Sequence, residues 1–207
     1  SVPNAESILI QDRRADKFEL FGPGYLSYSA GGTPFRVGHL SFFQVNRFLV
    51  DKLIEEVVGS ARGRLALDLF AGVGLFTVAL AKQFDRVVGV ESNLAATKDL
   101  EINLQESGGA SPSRRHSTAE AFLSKWQETP DLVILDPPRA GVEAQALARL
   151  KTLAPSRIHY LSCDPATLAR DLVADVADHA SSGPVELDGV RGGLLAEDQY
   201  DRCRDLK

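Results

Sequence analysis

Leu65-Ala66-Leu67-Asp68-Leu69-Phe70-Ala71-Gly72-Val73-Gly74-Leu75-Phe76 is the stretch on which the fold turns. An apolar run of strand length enters a glycine-bearing turn and leaves it as a helix, the arrangement that opens an α/β unit. The same alternation repeats downstream: strands at 65–70, 86–91, 132–135 and 158–162, each followed by a helical stretch, at 75–84, 94–105, 142–153 and 165–179. Strands apolar on both faces and separated by helices predict a doubly wound α/β fold around a mostly parallel sheet. No internal repeat is present, and 106–113 and 181–184 are short polar stretches of surface-loop length.

Upstream, Phe18, Leu20, Phe21, Tyr25, Leu26, Tyr28, Phe35 and Val37 are interrupted by Gly22, Pro23, Gly24, Gly31, Gly32 and Pro34. Short aromatic runs split by Gly and Pro predict a small N-terminal hairpin segment. Phe48, Leu49, Leu53, Ile54, Val57 and Val58 then recur at helical spacing, with Asn46 expected as N-cap and Gly59 as stop. The expected organisation is a β segment at 1–45, the α/β domain at 46–188 and an atypical, poorly ordered tail at 189–207.

The 207 residues are 44% hydrophobic and 25% charged, which suits one globular domain with a real core and excludes a disordered or fibrous chain. A net charge of −5 makes the chain as a whole no attractor for phosphates. Arg13-Arg14 and Arg114-Arg115-His116 are short basic clusters that suit either phosphate contact or a solvated face. Two cysteines without metal spacing exclude a disulfide framework and lead us to expect the reducing cytoplasm. No apolar run reaches the ~18 residues of a membrane span. The absence of Met, even at position 1, suggests a piece of a longer protein.

Five features carry chemistry. Gly72 and Gly74 suit a cofactor loop or a tight structural turn. Asp68 ends a buried strand and needs a donor, supplied by turn amides or a ligand ammonium. Glu91 closes the next strand about 20 residues after the glycines, where an acidic side chain takes the ribose hydroxyls of a nucleoside. The dinucleotide pattern requires a small residue where Thr77 stands, which favours a nucleoside methyl donor over NAD. Asp136-Pro137-Pro138-Arg139 is a stiff turn after a strand, and Arg139 replaces the aromatic residue found in amino-methylating enzymes. Cys163 lies just before a helix opened by Pro165, where the helix N-terminus favours thiolate; a lone cysteine is also a common inert core residue.

In combination and in this order, Phe42-Phe43-Gln44-Val45-Asn46, the 67–76 loop, 87–91, Leu135-Asp136-Pro137-Pro138-Arg139-Ala140-Gly141 and Ser162-Cys163-Asp164-Pro165-Ala166-Thr167-Leu168-Ala169-Arg170-Asp171 closely resemble the RNA uridine C5 methyltransferases. The resemblance covers roughly residues 35–180. It implies a Rossmann-like class I methyltransferase making 5-methyluridine in rRNA or tRNA from S-adenosylmethionine, with no metal in this chain and no obligate protein partner. It makes Cys163 the nucleophile, places Gln44, Phe70, Gly72, Gly74, Glu91 and Asp136 on the cofactor, and brings Phe43, Gln44 and Asp136 to the target base.

The sequence also departs from that family. An N-terminal OB-like RNA-binding domain and iron–sulfur cysteines, each found in some members, are missing. The closing Phe-Pro-x-Thr-x-His-x-Glu segment is replaced at 189–197, which leaves Glu197 at the spacing of the general base but among unfamiliar neighbours. Asp164 stands where many members have Asn. The alternatives are therefore a cofactor-binding fragment without turnover and, more distantly, an NAD-dependent oxidoreductase.

Overall fold

The computed structural model describes residues 6–12, 17–44, 46, 48–108 and 112–176. Two antiparallel hairpins come first: β1 (Ile8–Asp12) with β2 (Lys17–Phe21), and β3 (Tyr25–Ala30) with β4 (Thr33–Gly38). Then follow α1 (Val50–Val57), β5 (Gly63–Asp68), α2 (Leu75–Leu80), β6 (Phe84–Glu91), α3 (Leu94–Ser107), β7 (Pro112–His116), α4 (Ala119–Leu123), β8 (Leu132–Leu135), α5 (Ala144–Leu153), β9 (Ile158–Tyr160) and α6 (Pro165–Val176).

The main sheet has five parallel strands in the order β7-β6-β5-β8-β9. The pleat sends Ala66, Val87, Leu132 and Ile134 into a core with Phe35, Val57, Phe76, Leu80 and Leu100. Leu65, Leu67, Val88, Val133 and Leu135 enter a second core with Leu123, Ala146 and Leu150. Both faces are covered, as a doubly wound fold requires. The strand order reverses between β5 and β8, so the crevice beyond their carboxyl ends is the topological switch point where such sheets bind ligands.

The structure corrects several boundaries. The α2 helix stops at Leu80, and Phe84 opens β6 opposite Gly63 rather than closing the helix. Residues 112–116 form an edge strand, although Pro-Ser-Arg-Arg-His has no apolar pattern. Its backbone pairs with β6, and its side chains stay accessible, so no hydrophobic alternation was needed. Asn46 does not cap α1: its Oδ1 accepts from Phe48 N (3.2 Å), closing a preceding turn, and Leu49 holds the cap position. Gly59, at φ +47°, ends that helix region as expected.

The second hairpin is fastened to α3 by two buried polar side chains. Asp99 accepts from Arg36 Nε (3.1 Å), Gly38 N (2.8 Å) and Ser41 Oγ (2.6 Å). Asn103 accepts from Arg36 N (2.8 Å) and donates to Arg36 O (3.0 Å). This anchors the segment that runs from β4 to Gln44.

Candidate active site at the carboxyl edge of the sheet

Asp68, the last residue of β5, is fully buried and accepts from the Thr77 hydroxyl at 2.6 Å. Its other oxygen, Oδ1, has no partner among the described residues. Burial pushes its pKa to about 7; the Thr77 bond opposes this, and the charges of Asp136 and Glu91 reinforce it. Thr77, found where a dinucleotide fold has a small residue, fits because Gly89 on β6 lies opposite. A Cβ at 89 would meet Thr77 Oγ1 at 2.9 Å.

The two turn glycines differ in purpose. Gly72 has φ +54°, and nothing lies within 4 Å of where its Cβ would stand, so the loop backbone presents an open surface. Gly74 has φ +99°, but a Cβ there would sit 2.6 Å from Leu100 Cδ1. It serves the approach of α3. Glu91 faces the open side of the loop: Oε2 accepts from Gly72 N (2.9 Å) and Oε1 from Asn93 N (2.6 Å). Each oxygen retains acceptor capacity, so the geometry fits a nucleoside diol. The orphaned Oδ1 of buried Asp68 is an acceptor suited to a ligand ammonium. Phe70, partly buried, packs against the second core beside the loop.

Asp136 leaves β8 across the switch point. Gln44 Nε2 donates to its Oδ2 at 3.3 Å, a contact spanning 92 positions of sequence. Burial raises the Asp136 pKa to about 6, partly offset by that bond. Phe43 stacks on Tyr28 with centroids 4.9 Å apart and packs against the first core. Its neighbour Phe42 is 70% exposed, and sequence reasoning passed it over because two adjacent phenylalanines give no sign of which faces inward.

Cys163 is exposed at the end of β9. Leu161 N donates to Leu135 O (2.7 Å), so strand pairing continues to the residue before Asp136, and the Asp136 and Cys163 turns leave neighbouring strands. Asp164 Oδ1 accepts from Ala166 N (2.9 Å) and Thr167 N (3.1 Å), capping α6, a role Asn performs equally well. Of the basic clusters, Arg114 pairs with Glu101 at 2.7 Å, and His116 Nε2 lies 3.0 Å from Ser92 O. Glu197, Arg13, Arg14 and the 189–207 tail lie outside the described residues.

A parallel five-stranded sheet with a glycine turn, an acidic second-strand terminus and the Gln44 and Asp136 side chains meeting at the switch point defines a Rossmann-like methyltransferase fold. The chain belongs to the family described as conserved hypothetical protein 95, whose model matches residues 51–180. It is 35% identical over 173 residues to an uncharacterized RNA methyltransferase of Streptomyces avermitilis, covering 79% of this chain and 39% of that protein. An uncharacterized RNA methyltransferase of Thermotoga maritima is 33% identical over 156 residues, with 74% and 36% covered. The chain thus spans little more than a third of these relatives. Among solved structures, the Pyrococcus abyssi tRNA (uracil-54, C5)-methyltransferase in complex with S-adenosyl-L-homocysteine superposes with a TM-score of 0.72 at 28% identity, covering 82% of this chain and 44% of that one.

Proposed function

We propose that this chain is the catalytic domain of an S-adenosylmethionine-dependent RNA methyltransferase that modifies C5 of a uridine through a covalent bond from Cys163 to C6. The observation that carries this reading is the Gln44–Asp136 contact at the switch point, beside the turn that exposes Cys163. The similarity to RNA methyltransferases and to the uracil-C5 enzyme of Pyrococcus abyssi supports it.

Bound S-adenosylmethionine supplies an electrophilic methyl group on its sulfonium. Glu91 and the Gly72 loop hold the nucleoside, Asp68 receives the ammonium, and Phe70 lines the loop. The Cys163 thiolate adds to C6 of uracil, and the electron pair displaced through the ring makes C5 nucleophilic enough to take the methyl group. A base then removes the C5 proton, and elimination restores the thiolate and the uracil double bond. Glu197 is the proposed base. Gln44 and Asp136 orient the uracil edge, and exposed Phe42, rather than core-packed Phe43, offers a stacking surface for an unstacked base. The substrate is rRNA or tRNA, and the compartment is the cytoplasm. No helix among the described residues is long and apolar enough to cross a membrane.

Intact-mass spectrometry under denaturing conditions tests this reading with a 5-fluorouridine stem-loop RNA and S-adenosylmethionine. Fluorine at C5 cannot leave as a proton, so protein plus RNA plus methyl accumulates, and Cys163→Ala abolishes it. Full adduct formation by Cys163→Ala overturns the mechanism. S-adenosylhomocysteine bound with no adduct on RNA favours a cofactor-binding domain without turnover. A thermal shift with NAD and none with S-adenosylhomocysteine overturns the methyl-donor assignment.

A further inference from the structure

The Asp136 turn and the Cys163 turn leave different strands, yet one carboxylate joins them. Asp171, on the second turn of α6, is buried, with its two oxygens fully engaged. Oδ2 accepts from Val142 N (2.9 Å) and the Tyr160 hydroxyl (2.5 Å). Oδ1 accepts from Arg170 Nε (2.8 Å) and Nη2 (2.5 Å). The same Arg170 Nη2 donates to Ala140 O (2.8 Å), and Thr167 Oγ1 donates to Arg139 O (3.1 Å). The backbone at 139–142 is thereby held at three points, Arg139 O, Ala140 O and Val142 N, by the helix that begins two residues after Cys163.

Gly141 reports how close this seam is. Its φ is +83°, and a Cβ there would lie 2.5 Å from both Asp171 Oδ2 and Thr167 Cγ2. The turn 136–142 therefore fits against α6 only with a bare backbone at 141. Few freedoms remain between Asp136 and Cys163, since Asp164, the residue after Cys163, caps the N-terminus of the same helix.

We infer that Asp171 is a positioning residue that pins the 136–142 turn to α6 and so holds the Asp136 carboxylate and the Cys163 thiol in one fixed register. This rests on the roles proposed above for those two residues. Asp171 is buried and both its oxygens are taken by protein donors, so its role is to position rather than to react. It acts on the geometry between Asp136 and Cys163, where small misplacements cost large factors in rate.

The test compares adduct formation on the 5-fluorouridine RNA at saturating RNA and S-adenosylmethionine, well below the melting temperature of each protein. Asp171→Asn keeps the acceptor for Val142 and Tyr160 but turns an amide donor against the Arg170 guanidinium, releasing Ala140. Its adduct rate is expected to fall at least tenfold, while S-adenosylhomocysteine affinity stays within twofold. Thr167→Val, which removes one hydroxyl from a less buried position, is expected to slow the rate about threefold with the same unchanged affinity, and it decides the matter if Asp171→Asn fails to fold. An Asp171→Asn rate within twofold of the unaltered chain overturns the inference, as does a rate loss matched by an equal loss of S-adenosylhomocysteine affinity. Absence of adduct in the unaltered chain overturns the underlying reading instead, and this inference with it.

Discussion

Asn103 Nδ2 donates to Val73 O at 2.8 Å inside the protein, so the glycine loop hangs on a side chain that also holds the backbone of Arg36. One fully buried amide thus joins the second hairpin, α3 and the candidate cofactor loop.

Replacing Asn103 by Ala leaves Arg36 N, Arg36 O and Val73 O without that partner. Buried groups stripped of hydrogen bonds cost roughly 1–3 kcal/mol each when no relaxation occurs, so a loss of about 3 kcal/mol is expected for Asn103→Ala. Urea unfolding reads it as a lower midpoint at constant slope. S-adenosylhomocysteine affinity falls as well, because the loop loses its support.

Gly72→Ala separates strain from obstruction. At φ +54° a side chain costs about 1 kcal/mol, and its methyl group enters the open space before the loop. Gly108, at φ +65° and equally unobstructed, ends α3 away from the site. Gly72→Ala and Gly108→Ala should therefore lose similar stability in thermal melts. Only the former should weaken S-adenosylhomocysteine binding, by tenfold or more in calorimetry.

Asp68 imposes a pH dependence on stability. Its folded pKa of about 7 lies above the unfolded value of 3.8, so its proton is retained in the fold while the unfolded chain releases it. The stabilising contribution is complete below about pH 4 and is lost as pH rises through about 7. Asp136, raised to about 6, acts in the same direction over a narrower window. Asp131 and Asp171, whose pKa values are lowered by backbone and side-chain donors, act in the opposite direction at acid pH. Asp68→Asn is expected to raise the melting temperature at pH 8 relative to the unaltered chain and to have little effect at pH 4. An unchanged difference between the two pH values overturns the assignment.

A cationic ligand beside Asp68 and Asp136 favours their charged forms. S-adenosylhomocysteine binding should therefore release protons between about pH 6 and 7, seen as a dependence of calorimetric heat on buffer ionisation enthalpy. Asp68→Asn should diminish that dependence.

The core of the α/β fold was legible in sequence because its strands are buried on both faces: 132–135 and 65–67 consist of residues that water rejects, whatever surrounds them. The glycine turn, Glu91 and the Asp136-Pro137-Pro138 turn were legible because each couples a backbone requirement to a chemical group. Edge strand β7 was not, since backbone pairing to β6 and polar side-chain contacts hold it and its side chains obey no hydrophobic rule. Tertiary packing alone decided that Phe43 stacks on Tyr28 while Phe42 is exposed, that the backbone of Gly74 lies close against Leu100, and that Asp99, Asn103 and Asp171 bind distant segments together. Local sequence sets which groups must be buried or kinked. Which partner a buried polar group finds is settled only when strands tens of residues apart come together, because that choice depends on through-space distance and not on spacing along the chain.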